Sequence, residues 1–177
     1  MLLCPSVASA IVLALVSPVL LSADERDSSR RDEATTLSNK EYGIEVEVPA
    51  SWKLVSKAVE AMVFGFSIPN DDPTLEAGVK CEIGPAPETL DEYRTRIDRR
   101  AERQKVPGVS LKQNEVVKTD TGERLVTEWN YEPKDRPIVH DFEVRVIRND
   151  QLYIFTLRAP GPLFPVLRPQ FESLPHC

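Results

Sequence analysis

The sequence predicts an α+β domain in which a mostly antiparallel sheet of six to eight strands is covered by two helices. Short segments with alternating apolar and polar residues recur along the chain, and this alternation is typical of half-buried strands. Turn-forming residues separate most of these segments, which favours antiparallel neighbours. Two other stretches carry apolar residues at spacings of three and four, as amphipathic helices do.

A hairpin over residues 138–157 is the clearest of these segments. Asn149 and Asp150 act as a two-residue loop, and this loop fixes which residues lie opposite each other. The other face of the hairpin is polar, so a shift by one residue would mix the two faces and the register is well specified. The predicted pairs on the apolar face are Val146 with Tyr153, Val144 with Phe155 and Phe142 with Leu157.

The first predicted helix starts after Thr89. This threonine and Glu92, three residues later, form a capping box, and Pro107-Gly108 ends the helix. The apolar stripe of this helix consists of Leu90, Tyr93, Ile97 and Ala101.

The second predicted helix begins near Val166. This start places Pro169 in the first turn, where proline loses no hydrogen bond. Leu167, Phe171 and Leu174 then form a stripe that can cover the apolar face of the hairpin. The whole order is four strands, a helix, four strands and a helix.

The first 23 residues carry no charged side chain, and charged residues begin at Asp24. With Pro18 breaking the apolar run, this pattern predicts a secretory signal peptide over residues 1–23. An uncleaved membrane anchor is the alternative, because the stretch is nearly long enough to span a bilayer. Residues 24–40 are rich in Ser, Arg, Asp and Glu and are predicted to be a disordered tether. A single domain then occupies residues 41–177.

The charge and the cysteines narrow the classes of function. The chain has 177 residues and a formal net charge of −6, which argues against nucleic acid as a partner because phosphate binding needs a positive surface. Loss of the signal peptide removes Cys4 and leaves Cys81 and Cys177, which could form one disulfide in an oxidising compartment. Cys81 lies on the apolar face of its strand, so we expect it to be buried.

Catalytic, metal and cofactor motifs are missing from the sequence, so we predict no enzyme activity, no metal site and no cofactor. His140, at the end of the hairpin, is either structural or a base or ligand. Asn70-Asp71-Asp72 is read as a hairpin turn, with a calcium site as the alternative. Several aromatic residues alternate along the predicted strands, and this spacing favours a place in the core over the lining of a lipid pocket. They are Phe64, Phe66, Phe142, Tyr153 and Phe155.

Four arginines on the first helix are the candidate binding residues. At 100° per residue they span an arc of about 100°, on the side opposite Leu90, Ile97 and Ala101. Guanidinium groups make bidentate contacts with carboxylates and phosphates, so this face could dock an acidic protein or an anionic lipid surface. A plain solvated helix face is the alternative. The four are Arg96, Arg99, Arg100 and Arg103.

The opening strand, from Tyr42-Gly43-Ile44 to Val48 and followed by Pro49 and Trp52, resembles the start of PsbP-like domains. The helix start at Thr89-Leu90-Asp91-Glu92-Tyr93 and the closing hairpin Leu152–Leu157, with Phe164 and Phe171 after it, are also similar. This superfamily includes a Ran-binding nuclear import factor and DcrB-like bacterial lipoproteins. The resemblance implies a curved antiparallel sheet between helices and a non-enzymatic accessory, adaptor or chaperone-like role. It implies no individual site residue.

We therefore expect an exported, non-catalytic accessory or adaptor domain, periplasmic or extracellular, that binds another protein or an envelope component. The alternatives are a carrier of a small, lipid-like ligand and an unrecognised enzyme. A cavity between sheet and helices would favour the carrier, and a filled core would favour the adaptor.

Overall fold

The computed structural model describes residues 34–55, 62–72 and 74–174. Within these residues the chain forms nine strands and two helices. They are β1 (Ala34–Asn39), β2 (Ile44–Pro49), β3 (Lys53–Leu54), β4 (Met62–Ile68), β5 (Ala77–Pro85), α1 (Leu90–Arg103), β6 (Val109–Thr119), β7 (Gly122–Tyr131), β8 (Val139–Arg148), β9 (Gln151–Pro160) and α2 (Phe164–Glu172).

Seven strands form one sheet in the order β3-β4-β5-β9-β8-β7-β6. Every neighbouring pair in it is antiparallel. β1 and β2 form a separate two-stranded antiparallel sheet. The predicted α+β class, with two helices and a mainly antiparallel sheet of six to eight strands, is confirmed.

The β8–β9 hairpin has the predicted register. Asn149 and Asp150 have φ values of 49° and 58°, so both lie in the left-handed region that a tight type I′ turn requires. Val144 lies opposite Phe155, and the other two predicted pairs, Val146 with Tyr153 and Phe142 with Leu157, are also present. Arg148 and Gln151 close the ladder at the turn.

The main core lies on one face of the large sheet, which we call the α2 face. α2 packs here through Phe171, which is fully buried and meets the ring of Phe142 edge-on at 5.9 Å. Alternate residues of β2, among them Val46, cover another part of the same core. The five alternating aromatic residues named from the sequence are all buried here.

α1 packs on the opposite face, which we call the α1 face. Leu90 and Tyr93 form a second cluster there with Leu125 and Leu152 of the sheet. The predicted capping box is present, because the Thr89 amide donates to Glu92 Oε2 over 2.8 Å and the Glu92 amide donates to Thr89 Oγ1. Contacts of α1 fall mainly on β6, β7 and β8, and the helix reaches β9 through Leu152. The α1 face over β4, β5 and the rest of β9 is left outside the helix.

The predicted tether is wrong for residues 34–39. These residues form β1, which pairs with β2 along its whole length, from Ala34 opposite Pro49 to Asn39 opposite Ile44. Leu37 also packs against the main core. Composition suggested disorder, but backbone pairing with an apolar neighbouring strand supplies the stabilisation that the side chains of this segment lack. The signal peptide and residues 24–33 of the predicted tether lie outside the described residues.

The start of the second helix also differs from the prediction. α2 begins at Phe164, so Pro165 occupies the first turn and Pro169 lies inside the helix. Phe164 explains the earlier start, because its ring packs against Phe142 at 6.2 Å and stacks on His140. Burial of this aromatic ring outweighs the hydrogen bond that Pro169 cannot make.

Replacing Asp150 by valine should lower the free energy of unfolding by about 1 to 2 kcal/mol, since a β-branched residue is strained at positive φ. Urea unfolding gives the value. Asp120→Val, in the β6–β7 turn, is the matched control because Asp120 lies outside the set of positive-φ residues. We expect this control to cost less than about 0.5 kcal/mol, and equal losses in the two variants would contradict the prediction.

Candidate functional site

The four candidate arginines of α1 are exposed, and we call them the arginine surface: Arg96, Arg99, Arg100 and Arg103. Arg96 donates from Nη1 to Glu88 Oε1 over 2.9 Å and lies over the Tyr93 ring. Arg100 donates from Nε to the side-chain oxygen of Gln104. Within the described part of the chain, Arg99, Arg100 and Arg103 take part in no ion pair. Their positive charge therefore faces solvent.

Neighbouring acids of α1 have other partners. Asp98 accepts a hydrogen bond from Asn114 Nδ2 over 2.7 Å and lies 3.9 Å from Arg94. Asp91 pairs with Arg94 at 3.2 Å. Glu92 accepts from Thr89 in the capping box, and these hydrogen bonds hold the pKa of Glu92 below its ordinary value. These three carboxylates therefore form no ion pair with the arginine surface, although Asp91 and Glu92 line the same surface depression as its four arginines.

A second feature is an open groove of about 650 Å³ on the α1 face, over β4, β5, β8 and β9. We call it the sheet groove. One end is apolar and includes Val55, Met62 and Leu75. The other end is a polar wall formed by Lys80, Asp141, Glu143, Thr156 and Arg158.

Asp141 and Arg158 form an ion pair across the polar wall, with Oδ1 and Nε 3.2 Å apart. The Asp141 side chain is only 16% exposed, whereas that of Arg158 is 61% exposed. Burial raises the pKa of Asp141, and the charges of Arg158 and Lys80 and a hydrogen bond with Tyr131 oppose this rise. Burial, and then the charge of Asp141, likewise raise the pKa of Tyr131.

Thr156 lies directly opposite Glu143 on the floor of the groove. Thr156 is 4% exposed, and its hydroxyl has no hydrogen-bond partner among the described residues. Glu143 instead forms an ion pair with Arg145, which also donates to Thr127 Oγ1 over 3.1 Å. The groove is therefore lined by a buried threonine whose hydroxyl has no hydrogen-bond partner among the described residues.

His140 belongs to a cluster that joins α2 to the sheet. Its Nδ1 lies 3.1 Å from Glu128 Oε1, and its ring stacks on Phe164 with the centroids 4.2 Å apart. Glu128 also accepts from Arg168 Nη1 over 3.2 Å, and the Arg168 guanidinium lies 4.4 Å from the Phe142 ring centroid. Because both partners of His140 take part in packing between elements, this geometry favours the structural interpretation.

The Asn70-Asp71-Asp72 segment forms a turn that uses its own oxygens. Asp72 Oδ1 accepts from the amide and hydroxyl of Thr74 over 2.9 and 2.6 Å, and these hydrogen bonds lower the pKa of Asp72. Asn70 Oδ1 accepts from the Asp72 amide. Across the described residues, no group of three or more His, Cys, Asp or Glu side chains is placed to hold a metal ion.

Cys81 is fully buried on the α2 face, as the alternation of its strand predicts. Cys177 lies outside the described residues, so its pairing with Cys81 stays a prediction.

Sequence reasoning placed the arginine surface but missed the sheet groove. The register of the β8–β9 hairpin already put Asp141 opposite Arg158 and Glu143 opposite Thr156. However, Lys80 lies beside Thr156 because β5 pairs with β9. These strands are far apart in the sequence, so no local sequence pattern predicts that they pair. The polar pairs on one face of the β8–β9 hairpin were therefore the sequence feature from which part of the groove could have been predicted.

Comparisons with known proteins connect this architecture to a fold family. No protein-family model and no curated protein sequence matches the chain. Among solved structures, the cyanobacterial PsbP protein CyanoP from Synechocystis matches with a TM-score of 0.57 and 14% identity, over 82% of this chain and 91% of that one. LpqN, described as involved in cell envelope biogenesis of Mycobacterium tuberculosis, matches with a TM-score of 0.53 and 12% identity, over 78% and 85% of the two chains.

A protein of unknown function from Pseudomonas aeruginosa, PA94, gives a TM-score of 0.53 and 17% identity, over 80% of this chain and 92% of that one. The chain therefore has the PsbP-like fold, as its resemblance to that superfamily implied. At these identities the likeness establishes the fold, and activity has to be argued from the sites.

Neither helix in the described part of the chain is long and apolar enough to cross a membrane.

Asp141→Asn should change how the free energy of unfolding depends on pH. Because the folded-state pKa of Asp141 is raised, its contribution to stability is complete below the ordinary pKa of about 3.9 and is lost as pH rises through the folded-state value. Wild type should therefore lose stability relative to Asp141→Asn as pH rises from about 3.9 through the raised folded-state pKa of Asp141. Paired urea titrations measure this difference. If wild type instead gained stability relative to Asp141→Asn as pH rises, attraction to Arg158 and Lys80 would outweigh burial, and the prediction would be wrong.

Proposed function

We propose that this protein is an exported, non-catalytic accessory domain that binds another protein or an envelope component through the arginine surface. The single observation that carries this proposal is the absence of ion-pair partners for Arg99, Arg100 and Arg103 within the described residues. Guanidinium groups that form no ion pair offer paired donors to carboxylates or phosphates.

Charge supports an anionic partner. The chain carries a net −6, so a local row of arginines is the place where an acidic surface can approach without repulsion. Arg99, Arg100 and Arg103 form no ion pair within the described residues, and Arg96 contacts Glu88 and the Tyr93 ring. Such contacts lie on the surface, so binding should weaken as salt rises.

The packing of the α2 face supports an adaptor rather than a carrier with an internal cavity. Between α2 and the sheet, Phe142, Phe164 and Phe171 fill the space with rings about 6 Å apart. Ring contacts of this kind are typical of a close-packed interior. A ligand carried between these layers would have to displace them. Association of LpqN, which shares the fold, with envelope biogenesis agrees with an envelope role.

The triple variant Arg96→Glu, Arg99→Glu and Arg103→Glu should abolish capture of the native partner at low salt. The free energy of unfolding should change by less than about 1 kcal/mol, since these side chains are exposed. The measurement is a pull-down of the exported protein from its native envelope at about 50 mM and 300 mM salt, repeated with vesicles containing phosphatidylglycerol. Binding of wild type to the vesicles would show that the arginine surface recognises an anionic lipid. Binding of wild type to envelope proteins but not to the vesicles would show that it recognises an acidic protein.

A matched control replaces Lys40, Lys134 and Arg136 by glutamate. These three cations are exposed, lie outside α1 and give the same change in net charge. Full capture by the control and none by the α1 variant is the expected contrast. Equal capture by both variants would contradict the proposal and would mean that the arginine surface is a plain solvated helix face.

Export predicts a mature chain that begins near Asp24. Cleavage after Ala23 would remove the uncharged stretch and leave the charged residues at the new N-terminus. Intact-mass measurement of the protein in a soluble envelope fraction should give the mass of residues 24–177. Retention of Met1 in a membrane fraction would instead support the anchor.

A further inference from the structure

We infer that the sheet groove is a second binding site, which takes an extended peptide segment of a partner protein. An apolar side chain of the peptide would occupy the apolar end, and amide groups would lie against the polar wall. This inference uses residues of β4, β5, β8 and β9 and does not depend on the arginine surface.

The shape of the groove follows from two glycines on neighbouring strands. Gly65 and Gly78 both line it, and neither fills it with a side chain. Gly78 cannot readily be replaced, because a Cβ atom there would lie 2.8 Å from the Phe66 carbonyl oxygen. The resulting space of about 650 Å³ lies within the range of ligand sites, roughly 300 to 1,000 Å³.

The apolar end is prepared for a side chain of the size of leucine. Val55 is 44% exposed although it is apolar, and Met62 and Leu75 lie beside it. Methionine is unbranched and adapts to the shape of its neighbour. Covering these side chains would remove exposed apolar surface from water.

The polar wall offers acceptors and donors side by side. The Thr156 hydroxyl is buried without a partner, and a buried hydroxyl gains most when a ligand satisfies it. Arg158 contacts Asp141 through Nε, while its side chain remains 61% exposed. Lys80 Nζ contacts Glu82 at 2.9 Å, and its side chain is 45% exposed. Both cations keep spare donors, so a group with a donor and an acceptor fits here.

An amide is such a group. Its N–H can donate to Asp141, Glu143 or Thr156, and its C=O can accept from Arg158 or Lys80. The polar wall carries two acids and two bases, and the exposed Glu76 also lines the groove, so the groove does not favour an anion. A sugar ring binds best against an exposed aromatic face, but the aromatic residue lining the described groove, Phe66, is 4% exposed and belongs to the main core. The combination of an apolar end and an amide-binding wall therefore selects a peptide.

The test is a titration of the isotope-labelled full chain followed by backbone amide shifts. The probe is an acetylated and amidated tetrapeptide, Gly-Leu-Asn-Gly, and the comparison probes are Gly-Ser-Asn-Gly and the disaccharide chitobiose. Saturable shifts should appear at Gly65, Gly78 and Thr156. Replacing leucine by serine in the probe should weaken binding at least ten-fold, because the apolar contact is lost.

Two threonine variants distinguish loss of the Thr156 hydroxyl in the sheet groove from a general effect of replacing threonine by valine. Thr156→Val keeps the shape of the side chain and removes a hydroxyl without a partner, so the protein should fold as wild type does and bind the tetrapeptide about five-fold more weakly. Thr36→Val, at an exposed position on β1, should bind as wild type. The triple arginine variant should also bind the tetrapeptide unchanged, which distinguishes this site from the arginine surface.

Three results would overturn the inference. They are the absence of shifts at the groove, unchanged affinity in Thr156→Val, and saturation by chitobiose without saturation by the tetrapeptide. The last result would assign the groove to glycans.

Discussion

Pairing of β9 on both sides holds the large sheet together. β9 lies between β5, from the first half of the chain, and β8, its hairpin partner. Phe155 and Leu157, both fully buried, place the side chains of this central strand in the main core. If β9 were lost, the two groups of strands β3–β5 and β6–β8 would share no edge.

This arrangement explains which features the sequence could predict. The β8–β9 register depends on a two-residue loop and on alternation within twenty residues, and the start of α1 depends on two residues three apart, so local chemistry determines both. Pairing of β5 with β9 joins residues such as Cys81 and Phe155, which are far apart in the sequence. Many strand orders satisfy the same alternation, and only packing in three dimensions selects one.

The two wrong predictions have the same cause. β1 is polar and exposed along most of its length, and its order comes from backbone hydrogen bonds to β2 that composition does not reveal. The early start of α2 comes from burial of Phe164 against a strand rather than from its own turn chemistry. The sheet groove escaped prediction because β5 supplies Lys80 to a wall that β8 and β9 build. The arginine surface was predictable because a single helix carries all of it.

The two edges of the large sheet are poorly suited to pairing with a further strand. At one edge, β3 has only two residues. At the other, β6 has a register shift between Leu111 and Gln113 and carries Lys112 and Lys118, devices that hinder pairing with a further strand. The α2 face is filled by aromatic packing. The α1 face is only partly covered, and the ion pairs of the sheet groove and the arginines of α1 both lie on its side of the sheet. Substitutions on that side can change the surface of the protein without disturbing the main core, which gives a physical reason why proteins of one fold can differ in function.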